Sequence, residues 1–466
     1  MRFSISELAA RLGGEQVGPD VIVDGATIDT RTASPGQLYV PIVAERDGHE
    51  FIRAALDGGA PAYLTAREPV GATAIVVADT AAALMQLGVI ARDQMHGRVI
   101  GITGSVGKTT TKDLLSHCLV TTFEVTASER SFNNELGLPL TLLNAPEDAQ
   151  WVVLEMGARG VGHVARLAQV GRPEVGIVTS VAMAHVEYFG DLDGVARAKS
   201  ELVTALPPSG VAVLNFDVPR VARMAMVSPC PVLGYGTERG AEVRAERVVL
   251  DDDLRPRFRL SSPWGAAHVR LAVHGIQQVP NTLAAAATAL WCGVPFEDVV
   301  SALATATGSP LRMEVHRVPD GPVLVVDCYN ANPTSTEAAL RSMGALPAAR
   351  QLALLGLMAE LGPETEAEHQ RIARLAEGLG IEVVGYQTAL YGAAEVTSAD
   401  EAVALLRALG PGDAALVKGS RVARLEEVVR RYGAVIGVQS MTAGALGAAA
   451  PSGAAAPTRI RRESSL

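Results

Sequence analysis

Val99-Ile100-Gly101-Ile102-Thr103-Gly104-Ser105-Val106-Gly107-Lys108-Thr109-Thr110-Thr111-Lys112 sets the architecture around it. Residues 99–102 form an apolar strand that runs into a turn of small residues. Gly107-Lys108-Thr109 then opens a helix that continues through Leu114 and Leu115. Strand, glycine turn and helix N-terminus in this order surround an anion with backbone N–H groups. In such a loop Lys108 reaches the terminal phosphates and the Thr109 hydroxyl holds a magnesium ion, while Thr103, Gly104, Ser105, Val106, Gly107 and Thr110 complete the cradle. The strict Gly-x4-Gly-Lys-Thr spacing would put glycine at 102, where Ile102 stands; Gly101 and Gly104 take over the turn. A plain strand–turn–helix with an exposed lysine is the bland alternative, and the strand-to-helix context weighs against it. The stretch implies a nucleoside triphosphate ligand.

At 466 residues the chain exceeds what one core organises, so two or three domains are expected. Hydrophobic residues at 48% against 19% charged mark a globular protein, not a disordered one. Forty basic and fifty acidic residues give a net charge of −10, and no basic stripe is present to neutralise phosphates; a nucleic-acid partner is excluded on that ground. Arg459-Ile460-Arg461-Arg462 reads as a solvated end. Cys118, Cys230, Cys292 and Cys328 are scattered without a Cys-x-x-Cys pair, which fits a reducing compartment and argues against disulfides or zinc. Met1–Glu7 shows no apolar signal segment, and the alanine-rich run Thr282–Cys292 is shorter than the about 20 residues a bilayer requires. A cytoplasmic protein without membrane insertion is expected, as a monomer.

Outward from the loop, the chain divides into units at 1–96, 97–310 and 311–439, followed by an Ala/Gly/Ser/Pro-rich tail, 440–466, expected to be disordered. In the first unit, strands at Gln37–Val43, Ala62–Leu64 and Ile75–Val77 alternate with helices at Phe51–Gly58 and Ala81–Gln94. In the second, four-residue apolar runs (Val99–Ile102, Trp151–Leu154, Val175–Val178, Val211–Leu214) between helices indicate a parallel sheet buried on both faces. Glu242–Val273 alternates instead, as an antiparallel edge does, and helices follow at Asn281–Trp291 and Phe296–Thr305. The third unit repeats strand and helix: strands at Val323–Val326, Leu352–Leu355, Glu382–Val384 and Ala415–Val417, helices at Pro333–Met343, Glu364–Leu379, Glu401–Leu409 and Arg421–Arg431.

Polar residues just beyond strand ends are the next candidates, because ligands of open parallel sheets sit outside the carboxyl ends of the strands. Glu155 follows strand 151–154, His185 lies past strand 175–178 and Asp327 past strand 323–326. Each alone is equally well a capping or ion-paired residue; three together point at the nucleotide, and Glu155 with His185 suits magnesium. Lys199 lies on a helix and reads blandly as a surface lysine. Asp327-Cys328-Tyr329-Asn330-Ala331-Asn332-Pro333 reads as a turn with Asn332 as N-cap and Pro333 at the first helical position. Lys418-Gly419-Ser420-Arg421 follows a strand and is expected to open a helix, a further anion site.

Taken in order, these stretches resemble the Mur ligases. Gly101–Thr110 is similar to that family's nucleotide loop, and Ser131–Thr141, Glu155–Ala158, Ala184–Gly190, Ala198–Glu201, Tyr329–Pro333 and Lys418–Arg421 follow in the family's sequence. The resemblance covers about residues 20–430. It implies three α/β domains: a small N-terminal uridine-nucleotide domain, a central P-loop-type domain with a mostly parallel sheet, and a Rossmann-like C-terminal domain. It implies ATP and Mg2+, with Lys108 on the β/γ-phosphates, Thr109, Glu155 and His185 holding magnesium, and Lys199 carbamylated to hold a second ion. Asn281 would contact adenine, and Arg312, Asp327, Tyr329 and Asn330 the nucleotide from the third domain. Thr30 and Arg31 would lie near uridine, Asn133 and Asn134 near the substrate, and Lys418, Ser420 and Arg421 at the closing face. The implied substrates are UDP-N-acetylmuramoyl-tripeptide and D-alanyl-D-alanine, joined through an acyl phosphate in peptidoglycan precursor synthesis.

Three positions depart from the family pattern: Gln277-Gln278 where His-Asn is usual, Leu357 in place of an acidic residue, and Cys328 after Asp327. Two other readings stay open at this point. One is an amide ligase of the same superfamily with a different amine; the other is a nucleotide-binding regulator that has lost ligation.

Overall fold

The computed structural model describes residues 1–129, 132–183 and 189–438. Expectations for His185 and for the tail 440–466 lie outside them. Three α/β units follow one another, each around its own main sheet.

In the first, β1 (Arg2–Ser4) and β3 (Ile22–Asp24) make a two-stranded antiparallel ribbon, while β2 (Glu15–Val17), β4 (Ala26–Thr27), β5 (Leu38–Tyr39), β6 (Ala62–Thr65) and β7 (Thr73–Val76) form a five-stranded sheet in the order β2-β7-β6-β5-β4. It is parallel except for β2. The strand expected over 37–43 forms a ladder only at Leu38–Tyr39, since Pro41 has no N–H to continue it, and beyond it Val43 makes an isolated bridge with Asp47.

The central unit holds a nine-stranded sheet. Its strands are β8 (Arg98–Thr103), β9 (Val125–Ala127), β10 (Trp151–Glu155), β11 (Val175–Val178), β12 (Val211–Asn215), β13 (Val232–Gly236), β14 (Val243–Leu250), β15 (Pro256–Ser262) and β16 (Gly265–Arg270). The order is β16-β15-β14-β13-β12-β11-β8-β10-β9. β9 to β14 run parallel with β8, while β14, β15 and β16 pair antiparallel, as the alternation over 242–273 predicts. Strand alternation divides the apolar runs between two cores. Val99, Val152 and Leu154 face a core shared with the first unit, and Ile100, Ile102, Trp151 and Val153 face the opposite one. β8 is central, with β10 on one side and β11 on the other, so the chain changes direction of travel beside it and leaves a crevice at its carboxyl end.

The third unit builds a six-stranded sheet from β17 (Glu314–Arg317), β18 (Val323–Val326), β19 (Gln351–Leu355), β20 (Glu382–Tyr386), β21 (Ala394–Val396) and β22 (Ala414–Lys418), ordered β17-β18-β22-β19-β20-β21 and parallel apart from β17. Helix Pro333–Met343 starts as expected, with Asn332 and Ser335 forming a reciprocal capping box. The helix expected to open at Lys418–Arg421 does not. Arg421–Ala423 makes only a 3-10 turn, Arg424 takes a left-handed conformation (φ 53°), and the helix proper runs Leu425–Ile436.

The units are in contact. Asn144, after helix Gly137–Leu143, exchanges hydrogen bonds with Ala26 and accepts one from Gln37 of the first unit. Leu254, in the β14–β15 turn, is fully buried within the core of the third unit.

Candidate active site

The loop between β8 and helix Lys108–Leu119 is shaped by two left-handed glycines, Gly104 (φ 151°) and Gly107 (φ 85°). A Cβ on either would collide, with Thr179 Oγ1 in the first case and Asn281 Oδ1 in the second, so only glycine serves there. Behind the loop, the end of β11 acts as a brace. Thr179 Oγ1 donates to Val106 O at 2.6 Å, Val106 N donates to Ser180 Oγ at 2.9 Å, and Ser105 exchanges bonds with Ala182. Thr103 is buried, its hydroxyl donating to Met156 O at 2.8 Å.

Lys108 folds back over this loop, its Nζ donating to Gly104 O at 2.7 Å. Burial pushes its pKa down, with Arg312 adding to that and Glu155 opposing it. Thr109 Oγ1 donates to Glu155 Oε2 at 2.9 Å, Asn133 Nδ2 donates to Glu155 Oε1 at 2.9 Å, and Arg312 Nη2 donates to Thr109 Oγ1 at 3.2 Å. Glu155 stands at the last position of β10, 1% exposed, so its carboxylate is held among these donors and away from bulk water. Thr110 is buried on the same helix.

Lys199, on helix Leu192–Thr204, is 3% exposed, and its ammonium lies 5.8 Å from the Phe189 ring centroid. Burial pushes its pKa down to about 7, Lys108 adds to the shift, and Glu201 opposes it. It is therefore no surface lysine. Glu201, two residues on, accepts from Gly162 N and Ala165 N at the start of helix His163–Gly171, which docks the lysine-bearing helix.

The third unit contributes an aromatic and two cations. The Arg312 guanidinium stacks 4.2 Å over Tyr329, and Arg421 approaches the same ring at 5.8 Å. Asp327 and Lys418 form a buried pair, Nζ to Oδ2 2.6 Å, and Lys418 also donates to Asn330 O at 3.0 Å. Asn330 itself is exposed. Ser420 is buried, its hydroxyl donating to Ala331 O and accepting from Ala359 N. Lys418 and Ser420 thus make structural bonds within this unit, whereas Arg312 reaches the nucleotide loop. Asn134 is exposed and caps the helix Gly137–Leu143 region, accepting from Leu136 N and Gly137 N.

The departures at 277–278 acquire a physical role. Gln278 Oε1 accepts from Asn281 Nδ2 at 3.0 Å and Gln277 Oε1 accepts from Ser342 Oγ at 3.2 Å, so the first orients the asparagine and the second touches the third unit. Cys328 is buried, with its thiol pushed up by that burial. In the first unit, Arg31 donates to both oxygens of Asp29 and holds that carboxyl below its usual range; Thr30 lies between them in sequence, and the Arg31 side chain is 61% exposed. Thr179, Ser180, Ser128 and Lys112 escaped the sequence reading. Thr179-Ser180 carried a signal, two hydroxyls directly after an apolar strand on the same rim as the loop.

This arrangement is that of an ATP-type phosphate loop facing a carboxylate, with a buried lysine and an arginine from a neighbouring unit. Residues 102–289 match the Mur ligase middle domain and residues 311–421 the Mur ligase glutamate ligase domain. The chain belongs to the Mur ligase family. Within it, its place is with the MurF enzymes. UDP-N-acetylmuramoyl-tripeptide–D-alanyl-D-alanine ligase of Mycobacterium tuberculosis is 39% identical over 460 residues, covering 86% of this chain and 90% of that one. MurF from Acinetobacter baumannii superposes with a TM-score of 0.85 at 29% identity, covering 93% of this chain and 99% of the other. The MurF ligase of Thermotoga maritima, solved in complex with ADP, gives 0.80 at 25% identity over 90% of this chain and 99% of its own.

Proposed function

We propose that this protein is an ATP-dependent amide ligase that joins UDP-N-acetylmuramoyl-tripeptide to D-alanyl-D-alanine in cytoplasmic peptidoglycan precursor synthesis. Residues 1–96 would hold the uridine nucleotide, 97–310 ATP and 311–439 the incoming dipeptide side. The observation that carries the reading is the meeting of Lys108, Thr109 and Glu155 at the carboxyl end of β8 and β10, with Lys199 buried near by.

A carboxylate has no leaving group, so the tripeptide's terminal carboxylate must first take the γ-phosphoryl of ATP, releasing ADP. The amine of the dipeptide then attacks the acyl phosphate and expels phosphate. Lys108 and the loop N–H groups bind the phosphates and offset charge that grows on the transferring group. Arg312 and Tyr329, brought to the loop by the third unit, help exclude water that would hydrolyse the acyl phosphate.

The oxygens of Thr109 and Glu155, 2.9 Å apart, form a hard-donor pair that suits Mg2+, with Asn133 Nδ2 steadying the second carboxylate oxygen. Bound there, the ion would neutralise phosphate charge; His185, in the family the third ligand, lies outside the described residues. A Lys199 amine with its pKa near 7 supports carbamylation: the neutral nitrogen bonds to CO2, a proton leaves, and the lysine becomes an anion able to hold a second cation.

The test is phosphate release from ATP with purified UDP-N-acetylmuramoyl-tripeptide, comparing D-alanyl-D-alanine with single amino acids and weighing the product by mass spectrometry. Release that needs the dipeptide, with a product heavier by that dipeptide less water, is expected. Stimulation by a single amino acid alone, or ATP turnover indifferent to either substrate, would overturn the reading.

A further inference from the structure

Lys112 is 4% exposed on the nucleotide-loop helix, yet it takes no part in the mechanism above. A buried ammonium is costly unless paired, and an aliphatic side chain would fill the same space, so its value lies in directed bonds. Its Nζ donates to Ser128 O at 2.5 Å and stands 3.0 Å from Asp113 Oδ1. Ser128, just past β9, accepts the Glu155 N–H on its own hydroxyl at 3.2 Å. The second Asp113 oxygen accepts from the Ser309 hydroxyl, in the segment that leads to the third unit.

Two arms therefore run from this linker to Glu155. One passes from Ser309 through Asp113, Lys112 and Ser128; the other from Arg312 through Thr109. The linker grips the helix at 109 and 113, one turn apart, and between and beside those grips Leu311 (φ 60°) and Met313 (φ 54°) adopt a left-handed backbone that such residues avoid. Contacts on both sides hold that shape.

We infer that Lys112 and Asp113 are positioning residues: the pair fixes the Glu155 backbone, which aims its carboxylate for the metal, and ties that residue to the seat of the linker into the third unit. The inference rests on the metal reading of Glu155 under Proposed function. Its test is calorimetric titration of the full-length protein with ADP, with and without Mg2+, in wild type, Ser309→Ala, Asp113→Asn, Lys112→Met and the Ser309→Ala/Asp113→Asn pair.

In Asp113→Asn and Lys112→Met the gain in ADP affinity that Mg2+ brings should shrink by about tenfold, the scale for residues that orient metal ligands. Metal-free ADP affinity and the affinity for the UDP-substrate should hold. The double variant should be no worse than Asp113→Asn alone, because both changes cut one arm. Ser309→Ala touches a half-buried hydroxyl and keeps the test alive should Lys112→Met fail to fold. A metal gain within twofold of wild type in Asp113→Asn, or effects of Ser309→Ala and Asp113→Asn that multiply, would overturn the inference. Absence of any metal gain in the wild type would instead sink the metal reading itself, and this inference with it.

Discussion

A buried amine and a half-buried one carry the most chemistry here, and each yields a measurable outcome. Lys199 must be neutral to bond CO2, and its pKa is pushed down to about 7. Below that pH the ammonium dominates, so the proposed carbamate would be lost; above it the free amine is available. Ligation in CO2-depleted buffer, restored by bicarbonate, should therefore be far weaker at pH 6 than at pH 8. Lys199→Ala should lose activity and regain part of it with a small added carboxylate; full activity without one would reject the carbamate. Lys108→Ala should abolish ADP formation, since the group over the loop is gone, while the UDP-substrate still binds to the first unit. Filter binding of that substrate beside an ADP assay separates the two, and joint loss would contradict the assignment of separate sites.

At the scale of the element, the loop and its helix were readable because their requirements are local. A left-handed turn needs glycine and a helix N-terminus needs free N–H groups, whatever packs around them. Gly107→Ala should therefore abolish ATP affinity and also lower the melting temperature, as the added methyl meets the Asn281 side chain and a φ of 85° strains any residue but glycine. The cap at 332 was equally legible: Asn332→Ala should cost about 1 kcal/mol, seen as a lower midpoint in thermal melts. Other elements gave weaker signals. β13 carries Gly234 and Gly236, which dilute strand propensity, and helix Gly137–Leu143 is buried on all sides, so no amphipathic period marks it. The 3-10 turn at 421–423 followed by left-handed Arg424 carries no glycine to announce it.

Across the whole molecule, the third unit is seated on the second by contacts between residues far apart in the chain. Leu254 enters the core formed by Met313, Leu340 and Met343, Arg317 pairs with Asp253 at 2.6 Å, and Ser342 bonds Ile276 and Gln277. The surface ion pair contributes little, so the buried leucine dominates this seat. Leu254→Ala should cost about 2–5 kcal/mol through lost burial and the cavity left behind. Hydrogen exchange should quicken along Pro333–Met343, and ATP turnover should fall as Arg312 leaves the loop. Unchanged exchange in that helix would mean that the seat does not depend on the leucine.

The order of strands and helices, the phosphate loop, the candidate carboxylate and the family resemblance were all written in short stretches, because backbone geometry and strand burial are governed by neighbours a few residues apart. Which groups meet is another matter. Thr109 and Glu155 are 46 residues apart, Arg312 and Thr109 are 203 apart, and the Asp327 partner of Lys418 is 91 away. Such pairs form only when sheet order and unit packing bring distant segments together. For the same reason Lys199, a surface residue by composition, became a buried amine, and Lys418, read as part of an anion site, is found in an internal ion pair with Asp327. Desolvation depends on everything around a group, and no local pattern encodes that.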